Sequence, residues 1–263
     1  MDDATAVDTG GTTVGAPGVP GARRRVSALG VVSEVMITLG VVALLYVVWQ
    51  MWVGDLIYGA QRNALGHELS QEWAQEYIPT DERPDGQGLP DEPETVEPVV
   101  LPEPGDAEIF GTVLIPRFGE DYSVPVAGGV SRARTLDPIG IGHYPDTAMP
   151  GQIGNFAVAA HRTTWGKPFN RIADLRVGDA IVIETPAGWY TYRFRTLEYV
   201  TPSEVDVLAP VPQSAAPASG TAYMTMTSCS PMYAMTERIV AYSVFEGFTP
   251  RDAGPPDALT AGV

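Results

Sequence analysis

The 263-residue sequence is poor in cysteine, histidine and basic residues. It has one cysteine, Cys229, and three histidines, with 16 basic residues against 32 acidic ones. A single cysteine excludes an intramolecular disulfide, so its thiol is either a small buried hydrophobe or a reactive group. The formal net charge of −16 argues against a nucleic-acid-binding protein, because neutralising phosphates needs clustered Lys and Arg.

One long apolar run lies near the N-terminus. Residues 35–53 are nearly all apolar, and 19 residues are about what a helix needs to cross a ~30 Å hydrocarbon core. Three arginines at 23–25 precede the run, and Trp49 and Trp52 lie toward its far end. These flanks predict a single transmembrane helix over residues 31–54, with a cytoplasmic N-terminus and an extracellular remainder. A cleaved signal peptide is the alternative, but its apolar region would be ~7–15 residues long and would end in an A-x-A-like site.

Composition divides the rest of the chain. Residues 1–30 form a Gly- and Ala-rich tail that is predicted to be disordered. Apolar spacing predicts a juxtamembrane helix over 55–78. The acidic, Pro-rich stretch 79–106 is predicted to be an extended linker. A β domain is expected over 107–249, and residues 250–263 are expected to be a disordered tail.

The 107–249 segment contains seven short β-branched and aromatic runs, broken by Gly and Pro, and each predicts a strand. The runs are IFGTVLIP, YSVPVAGGV, NFAVAA, AIVIET, WYTYRFRTLEYV, AYMTMTS and RIVAYSVFE. Asn170 to Leu175 predicts one or two helical turns. Many short strands in about 140 residues indicate an all-β domain, either a closed barrel or a sandwich.

Three chemically reactive residue types lie at strand ends in this domain. His161 and Cys229 each close an apolar run, and Arg238 opens one. Taken singly, each has an ordinary structural explanation: a hydrogen-bonded histidine, a packed thiol or a solvated charge. Together they suit acyl transfer, in which a thiolate attacks a carbonyl, an imidazolium protonates the leaving amine and a guanidinium supports the oxyanion.

The same residues carry a family resemblance. The chain has T-S-C-S-P around Cys229, His161 upstream of it and Arg238 nine residues downstream. This order resembles the sortases. The stretch TLDPIGIGHYPDTAMPGQIGNFAVAAHRTTWGKPFNRI is similar to class E sortases of high-GC Gram-positive bacteria. The family usually has Gly-His-Arg where this chain has Ala160-His161-Arg162. At the position of Ser230, related chains often have a histidine.

The resemblance implies a closed eight-stranded β-barrel with short helices, preceded by one N-terminal transmembrane helix. It implies Cys229 as nucleophile, His161 as general acid and Arg238 as the contact of substrate and oxyanion. The implied reaction cleaves a C-terminal sorting signal of a secreted protein between Thr and Gly, through a thioacyl intermediate. The protein would then be transferred to an amine of a peptidoglycan precursor.

Four further residues are predicted to bind substrate: His143, Tyr144, Thr227 and Ser228. In class E enzymes a tyrosine in the GHY loop is associated with a preference for Leu-Ala-x-Thr-Gly signals over Leu-Pro-x-Thr-Gly signals. A phenol hydroxyl can hydrogen-bond a backbone N–H that proline lacks. The alternative is that His143 and Tyr144 only pack the loop.

No metal or cofactor is predicted. His143 and His161 are 18 residues apart without a paired Cys or an HExxH spacing, and the loop acids Asp137 and Asp146 lack an EF-hand-like ligand series. Two alternative functions stay open at the level of sequence. One is a cysteine peptidase or hydrolase with the same Cys229 and His161, and the other is a non-catalytic, membrane-tethered binding module.

Overall fold

The structure is a computed structural model that describes residues 27–49, 53–76, 96–215 and 220–260. The chain divides into two compact units, one ending at Val47 and one that holds everything from Val48 onward.

Helix α1 (Ala28–Val48) carries the predicted membrane span. All of its residues are exposed, and its length and composition are those of a helix that can cross a membrane. The helix begins three residues before the predicted start at 31. Residues 50–52 of the predicted span, including Trp52, lie outside the described residues.

Helix α2 (Gly54–Glu76) covers most of the segment predicted to be a juxtamembrane helix, and it packs on the β domain. Gly66 sits directly over the backbone of Ser123, so closely that a Cβ at this position would clash with the Ser123 carbonyl. Ser70 Oγ donates to Glu184 Oε1 at 2.7 Å. Trp73 is buried. Small and polar residues therefore dock this helix, which explains why its apolar pattern is weak.

Eight strands form one closed barrel, which confirms the predicted fold class. The strands are β1 (Ile109–Leu114), β2 (Ser123–Gly128), β3 (Ile141–His143), β4 (Gly154–Ala160), β5 (Ala180–Thr185), β6 (Gly188–Val200), β7 (Ala222–Ser230) and β8 (Glu237–Pro250). Their order around the barrel is β1-β2-β3-β4-β7-β8-β6-β5. Two neighbouring pairs are parallel, β2 with β3 and β4 with β7, and the others are antiparallel. Closure leaves no unpaired edge strand in the barrel.

All seven predicted strands are present, and the additional one is β3. It has only three residues, too few to show a period of two. The expected helical turn near residues 170–175 is a single 3₁₀ turn, Ile172–Asp174.

The barrel interior is filled by aromatic and branched side chains, as expected for a small closed barrel. The largest fully buried ones are Tyr190, Tyr192, Phe156, Phe169, Ile115, Ile141, Ile172, Ile181, Ile183, Met224, Met226 and Ile239. Strands β4 and β5 are buried at every position. This packing gives the rigid frame from which strand ends present side chains.

The end of the predicted acidic linker, residues 96–106, lies against the barrel instead of extending free. The Tyr190 hydroxyl donates to the Val99 carbonyl. The Asp146 N–H donates to Glu103 Oε1 at 3.0 Å. An extended linker was expected from composition alone, but one barrel hydroxyl and one backbone N–H donate hydrogen bonds that hold this part in place.

The predicted disordered tail, 250–263, is also docked in its described part. Arg251 is buried, and its Nη2 donates to Glu184 Oε1 at 2.9 Å and to the Thr185 carbonyl at 2.6 Å. The guanidinium lies 4.6 Å from the centre of the Trp189 ring. The expectation of disorder is wrong here because one charged side chain anchors the segment.

Candidate active site

The parallel pairing of β4 with β7 brings His161 and Cys229 to the same end of the barrel. Ala159 pairs with Thr227 in this ladder. His161 and Cys229 each lie two residues further along their chains, so they occupy equivalent positions at the ends of neighbouring strands. The two residues are 68 positions apart in the sequence, and the parallel register of the two strands brings them close together.

Strand β8 adds the third residue. Antiparallel pairing of β7 with β8 places Cys229 directly opposite Arg238. Arg238 Nη1 donates to two backbone carbonyls of its own loop, Met235 at 3.2 Å and Glu237 at 2.9 Å. Its Nε and Nη2 have no partner within the described part of the chain, so the guanidinium keeps donors for a ligand.

These three side chains open into one cleft of about 550 Å³. This volume lies within the usual range of ligand-binding pockets. The cleft is lined by Val130, Arg132, Leu136, Tyr144, Ala159, Ala160, His161, Arg162, Thr163, Thr164, Thr227, Ser228, Cys229, Tyr233, Ala234, Met235 and Arg238. The cysteine is free and half-buried.

Asp137 holds the imidazole of His161. Its Oδ1 lies 2.7 Å from His161 Nε2, and both side chains are mostly buried. An ionised carboxylate only accepts hydrogen bonds, so Nε2 carries a proton and Nδ1 is the ring nitrogen left for proton exchange. Within the described residues, Nδ1 of His161 has no hydrogen-bond partner, since the contact with Asp137 uses Nε2. The arrangement is that of a histidine oriented for proton transfer.

The backbone of the cysteine is held as well. Arg162 is buried, and its Nη1 donates to the Cys229 carbonyl at 3.3 Å. Ser228 Oγ donates to the Ala160 carbonyl at 2.8 Å, across the β4–β7 ladder. Neighbouring side chains therefore fix the strand end on which the thiol stands.

Comparison with known proteins identifies the family. The model of the Sortase domain matches residues 113–246. Sortase SrtE1 from Streptomyces coelicolor is 35% identical over 248 residues, which are 92% of this chain and 63% of that protein. The chain belongs to the sortase family.

Two solved sortases share the fold. SrtA from Actinomyces oris has a TM-score of 0.58 and 32% identity, over 62% of this chain and 93% of that one. Sortase E1 from Streptomyces coelicolor, solved with a tripeptide in the active site, has a TM-score of 0.54 and 36% identity, over 59% and 99%. The prediction of a class E sortase is confirmed, and the sortases as a family are cysteine transpeptidases.

Tyr144 of this sortase lines the cleft, as expected of a substrate contact. Its hydroxyl lies 3.0 Å from Thr227 Oγ1. Thr227 Oγ1 in turn donates its proton to the Val158 carbonyl at 3.4 Å. While the single proton of Thr227 goes to the Val158 carbonyl, the Tyr144 hydroxyl is the donor to Thr227, and the phenol oxygen can still accept a hydrogen bond.

His143 lies behind this wall of the cleft. It ends strand β3 instead of standing in a loop, and it is buried. Its ring stacks on Phe156 at 5.2 Å, and its Nε2 lies 3.1 Å from the Ala148 carbonyl and 3.0 Å from Thr147 Oγ1. Burial lowers the pKa of His143. A neutral ring packed among aromatic residues is part of the core, and it is not among the cleft-lining side chains.

Sequence reasoning missed Asp137 and Arg162 as parts of the site. Asp137 was considered only as a weak calcium ligand, and it precedes His161 by 24 residues in a turn without any local signal. Arg162 directly follows the histidine, which was its only sequence signal. In the described ranges, no group of three or more His, Cys, Asp or Glu could hold a metal ion.

Proposed function

We propose that this sortase cleaves a Leu-Ala-x-Thr-Gly or Leu-Pro-x-Thr-Gly sorting signal between Thr and Gly and transfers the protein to an amine of a peptidoglycan precursor. The observation that carries the proposal is the barrel register. It sets Cys229 beside the position of His161 on one side and opposite Arg238 on the other. The tripeptide in the active site of Streptomyces coelicolor sortase E1 supports a peptide as the ligand of this cleft.

In the first half-reaction the Cys229 thiol passes its proton to Nδ1 of His161, and the resulting thiolate attacks the Thr carbonyl carbon. A carbon–sulfur bond forms, and the carbonyl oxygen becomes an oxyanion. When the intermediate collapses, the Thr–Gly carbon–nitrogen bond breaks and His161 delivers its proton to the leaving glycine nitrogen. The products are a thioester on Cys229 and the released C-terminal fragment of the substrate, which begins with the glycine.

In the second half-reaction an acceptor amine attacks the thioester. His161 takes a proton from that amine, the new amide bond forms and the Cys229 thiolate leaves. One amide is exchanged for another, so no oxidant or external energy source is needed. Water in place of the amine would give hydrolysis through the same residues.

The proposed roles of the other groups follow from their contacts. Asp137 binds Nε2 of His161 and leaves Nδ1 to carry the transferred proton. Arg238 uses its uncommitted guanidinium donors on the oxyanion and on the substrate. Fixed donors of this kind stabilise developing charge without reorganising during the reaction.

We further propose that Tyr144 favours Ala over Pro at the second position of the signal. Its phenol oxygen has only acceptor capacity left once it donates to Thr227. An alanine offers a backbone N–H to that acceptor, whereas proline has none. Thr227 thereby acts by orienting Tyr144, and Ser228 by joining β7 to β4.

Helix α1 is proposed to anchor the enzyme in the cell membrane, with the N-terminus in the cytoplasm and the barrel outside. The helix is apolar and exposed along its whole length. The arginines at 23–25 place positive charge on the N-terminal side. Protease added to intact protoplasts should digest the barrel and leave an N-terminal tag intact, and a protected barrel would contradict this orientation.

The function is tested by mass spectrometry of the full chain in detergent. The enzyme is incubated with a Leu-Ala-x-Thr-Gly or Leu-Pro-x-Thr-Gly peptide, with and without an amine acceptor. We expect a thioacyl adduct on Cys229 and, with amine, a peptide whose Thr is joined to the acceptor. Release of free acid alone, at every amine concentration, would identify a hydrolase instead.

A further inference from the structure

Arg62 of helix α2 is buried against the segment that carries Asp137. Its side chain donates from Nε to the Ile139 carbonyl at 3.1 Å and from Nη2 to the Asp137 carbonyl. Gly140, with φ of +134°, leaves room for it, because a Cβ there would lie 3.1 Å from Arg62 Cδ. One guanidinium therefore binds two carbonyls of the same turn.

The same helix contacts the loop that follows His161. Lys167 Nζ pairs with Asp55 Oδ2 at 3.0 Å. Gly166 packs so closely on the helix that a Cβ there would lie 2.6 Å from Arg62 Nη1. Helix α2 is thus in contact with chain segments on both sides of the histidine.

The backbone of Asp137 is held from two directions. Its N–H donates to the Arg132 carbonyl at 2.8 Å within a single helical turn. Its carbonyl accepts from Arg62. Because the backbone N–H and the carbonyl of Asp137 are both hydrogen-bonded, its main chain is fixed. Only rotation of the side chain can then change the 2.7 Å contact between its carboxylate and His161.

Stability alone does not explain an arginine at this position. Burying a guanidinium is costlier than burying an apolar side chain of similar length. Burial lowers the pKa of Arg62, and the negative charge of Asp137 opposes that effect. Nη1 has no hydrogen-bond partner in the described part of the chain. The residue carries this penalty at the one point where it can bind the Asp137 turn.

We propose that Arg62 is a positioning residue of the active site, which holds the Asp137 backbone so that its carboxylate keeps His161 oriented for proton transfer. The proposal rests on the function proposed above for His161. It gives helix α2, which follows the membrane segment in the chain, an indirect role in catalysis through this one side chain. Arg62 itself does not line the cleft and touches no substrate.

The test measures transpeptidation by the full chain in detergent for Arg62→Met, which removes the donors and keeps most of the length. We expect kcat to fall roughly tenfold, since small errors of placement alone can reduce rates up to a hundredfold. KM should stay within about twofold, because the cleft is unchanged. Ser70→Ala is the matched control. It loosens the same helix at Glu184 and should lower the melting temperature without lowering kcat.

A double-mutant cycle separates positioning from general loosening. If Arg62 acts through Asp137, adding Arg62→Met to Asp137→Ala should lower kcat no further, because the carboxylate it positions is already absent. Arg62→Lys keeps the cation but loses the planar fork. In that variant, long-range ¹H–¹⁵N NMR should show His161 as a mixture of tautomers, where the wild type has the proton on Nε2.

The outcomes are distinguishable. If His161→Ala and Asp137→Ala keep the wild-type kcat, the proposed function is wrong. If both are impaired while Arg62→Met behaves like Ser70→Ala, or if its effect multiplies with that of Asp137→Ala, the Arg62 proposal is wrong. Should Arg62→Met fail to fold, Arg62→Lys decides, and a wild-type tautomer with wild-type kcat would overturn the inference.

Discussion

Strand β8 has an arginine at each end, and the two have opposite surroundings. Arg238, its second residue, is half-buried and bonds only to carbonyls of its own loop. Arg251, just past its last residue, is buried between an indole ring, the Glu184 carboxylate and the Thr185 and Pro186 carbonyls. Arg251 uses its Nε and Nη2 on partners elsewhere in the protein, whereas Arg238 uses only its Nη1, on nearby carbonyls.

The difference extends to the regions around them. At the Arg238 end, a free thiol and a histidine with one free ring nitrogen face a cleft. At the Arg251 end, Ser70 of helix α2 bonds to the same carboxylate, which completes a closed network. Unused hydrogen-bonding capacity in a cleft marks groups that are available to a ligand, whereas a completed network marks groups that hold the fold. The comparison predicts that substitutions at the two ends separate activity from stability.

The largest effect is expected for Cys229→Ala. No thioacyl adduct should form, because the chain has no other thiol. The melting temperature should change little, since the side chain is small and half-buried. Intact-mass spectrometry after incubation with sorting peptide checks the first point and thermal unfolding the second. An adduct on the folded variant would contradict the assignment of the nucleophile.

Removing the imidazole is the next step down. His161→Ala should lower transpeptidation by roughly 10²–10⁴-fold, because the leaving amine then departs without a positioned acid. His67→Gln is the matched control, since that histidine is exposed on helix α2. It should keep the wild-type rate. A folded His161→Ala enzyme with unimpaired turnover would remove most of the catalytic scheme.

The two arginines test the comparison directly. Arg238→Ala should lower the rate by about 10²–10³-fold, as expected for loss of an oxyanion donor, with little change in stability. Arg251→Met should lower the free energy of unfolding by about 3–5 kcal/mol, because it leaves the buried Glu184 carboxylate without its charged partner. Its rate, measured well below its melting temperature, should match the wild type. If the two variants lost rate and stability to the same extent, the proposed difference between the two ends of β8 would be wrong.

The smallest effect is expected for Tyr144→Phe, which removes one hydroxyl from the cleft wall. Turnover of the Ala-containing peptide should fall several-fold, about the worth of one hydrogen bond of ~1 kcal/mol. Turnover of the Pro-containing peptide should change less, because proline offers no N–H at that position. Competition between the two peptides in one reaction measures the ratio, and equal losses would exclude Tyr144 from specificity.

The sequence was most informative where residue types alternate along a strand and where reactive side chains lie at a strand end. Seven strands were predicted from alternating branched and aromatic residues, and the eighth was missed because β3 has three residues. The thiol, imidazole and guanidinium were predicted as one site from residue type and strand-end position. His143 shares the GHY stretch with Tyr144, but only burial shows that its ring belongs to the core.

Anchoring residues were harder to predict than reactive ones. Arg251 lies in a Pro- and Gly-containing tail whose composition indicates disorder, yet its side chain finds a buried carboxylate 67 residues earlier in the chain. Arg62 lies in a polar helix in which an arginine is unremarkable until its guanidinium is seen on the Asp137 turn. Such roles depend on partners far away in sequence.

The apolar N-terminal helix, the all-β domain and the three residue types of the site could be predicted from the sequence, because they follow from local length, period and chemical identity. Which groups meet depends on the tertiary structure. The parallel register of β4 and β7 pairs the positions of His161 and Cys229, and closure of the barrel sets Arg238 opposite the thiol. The orientation of the imidazole by Asp137 likewise arises from a contact across 24 residues, which no local pattern can encode.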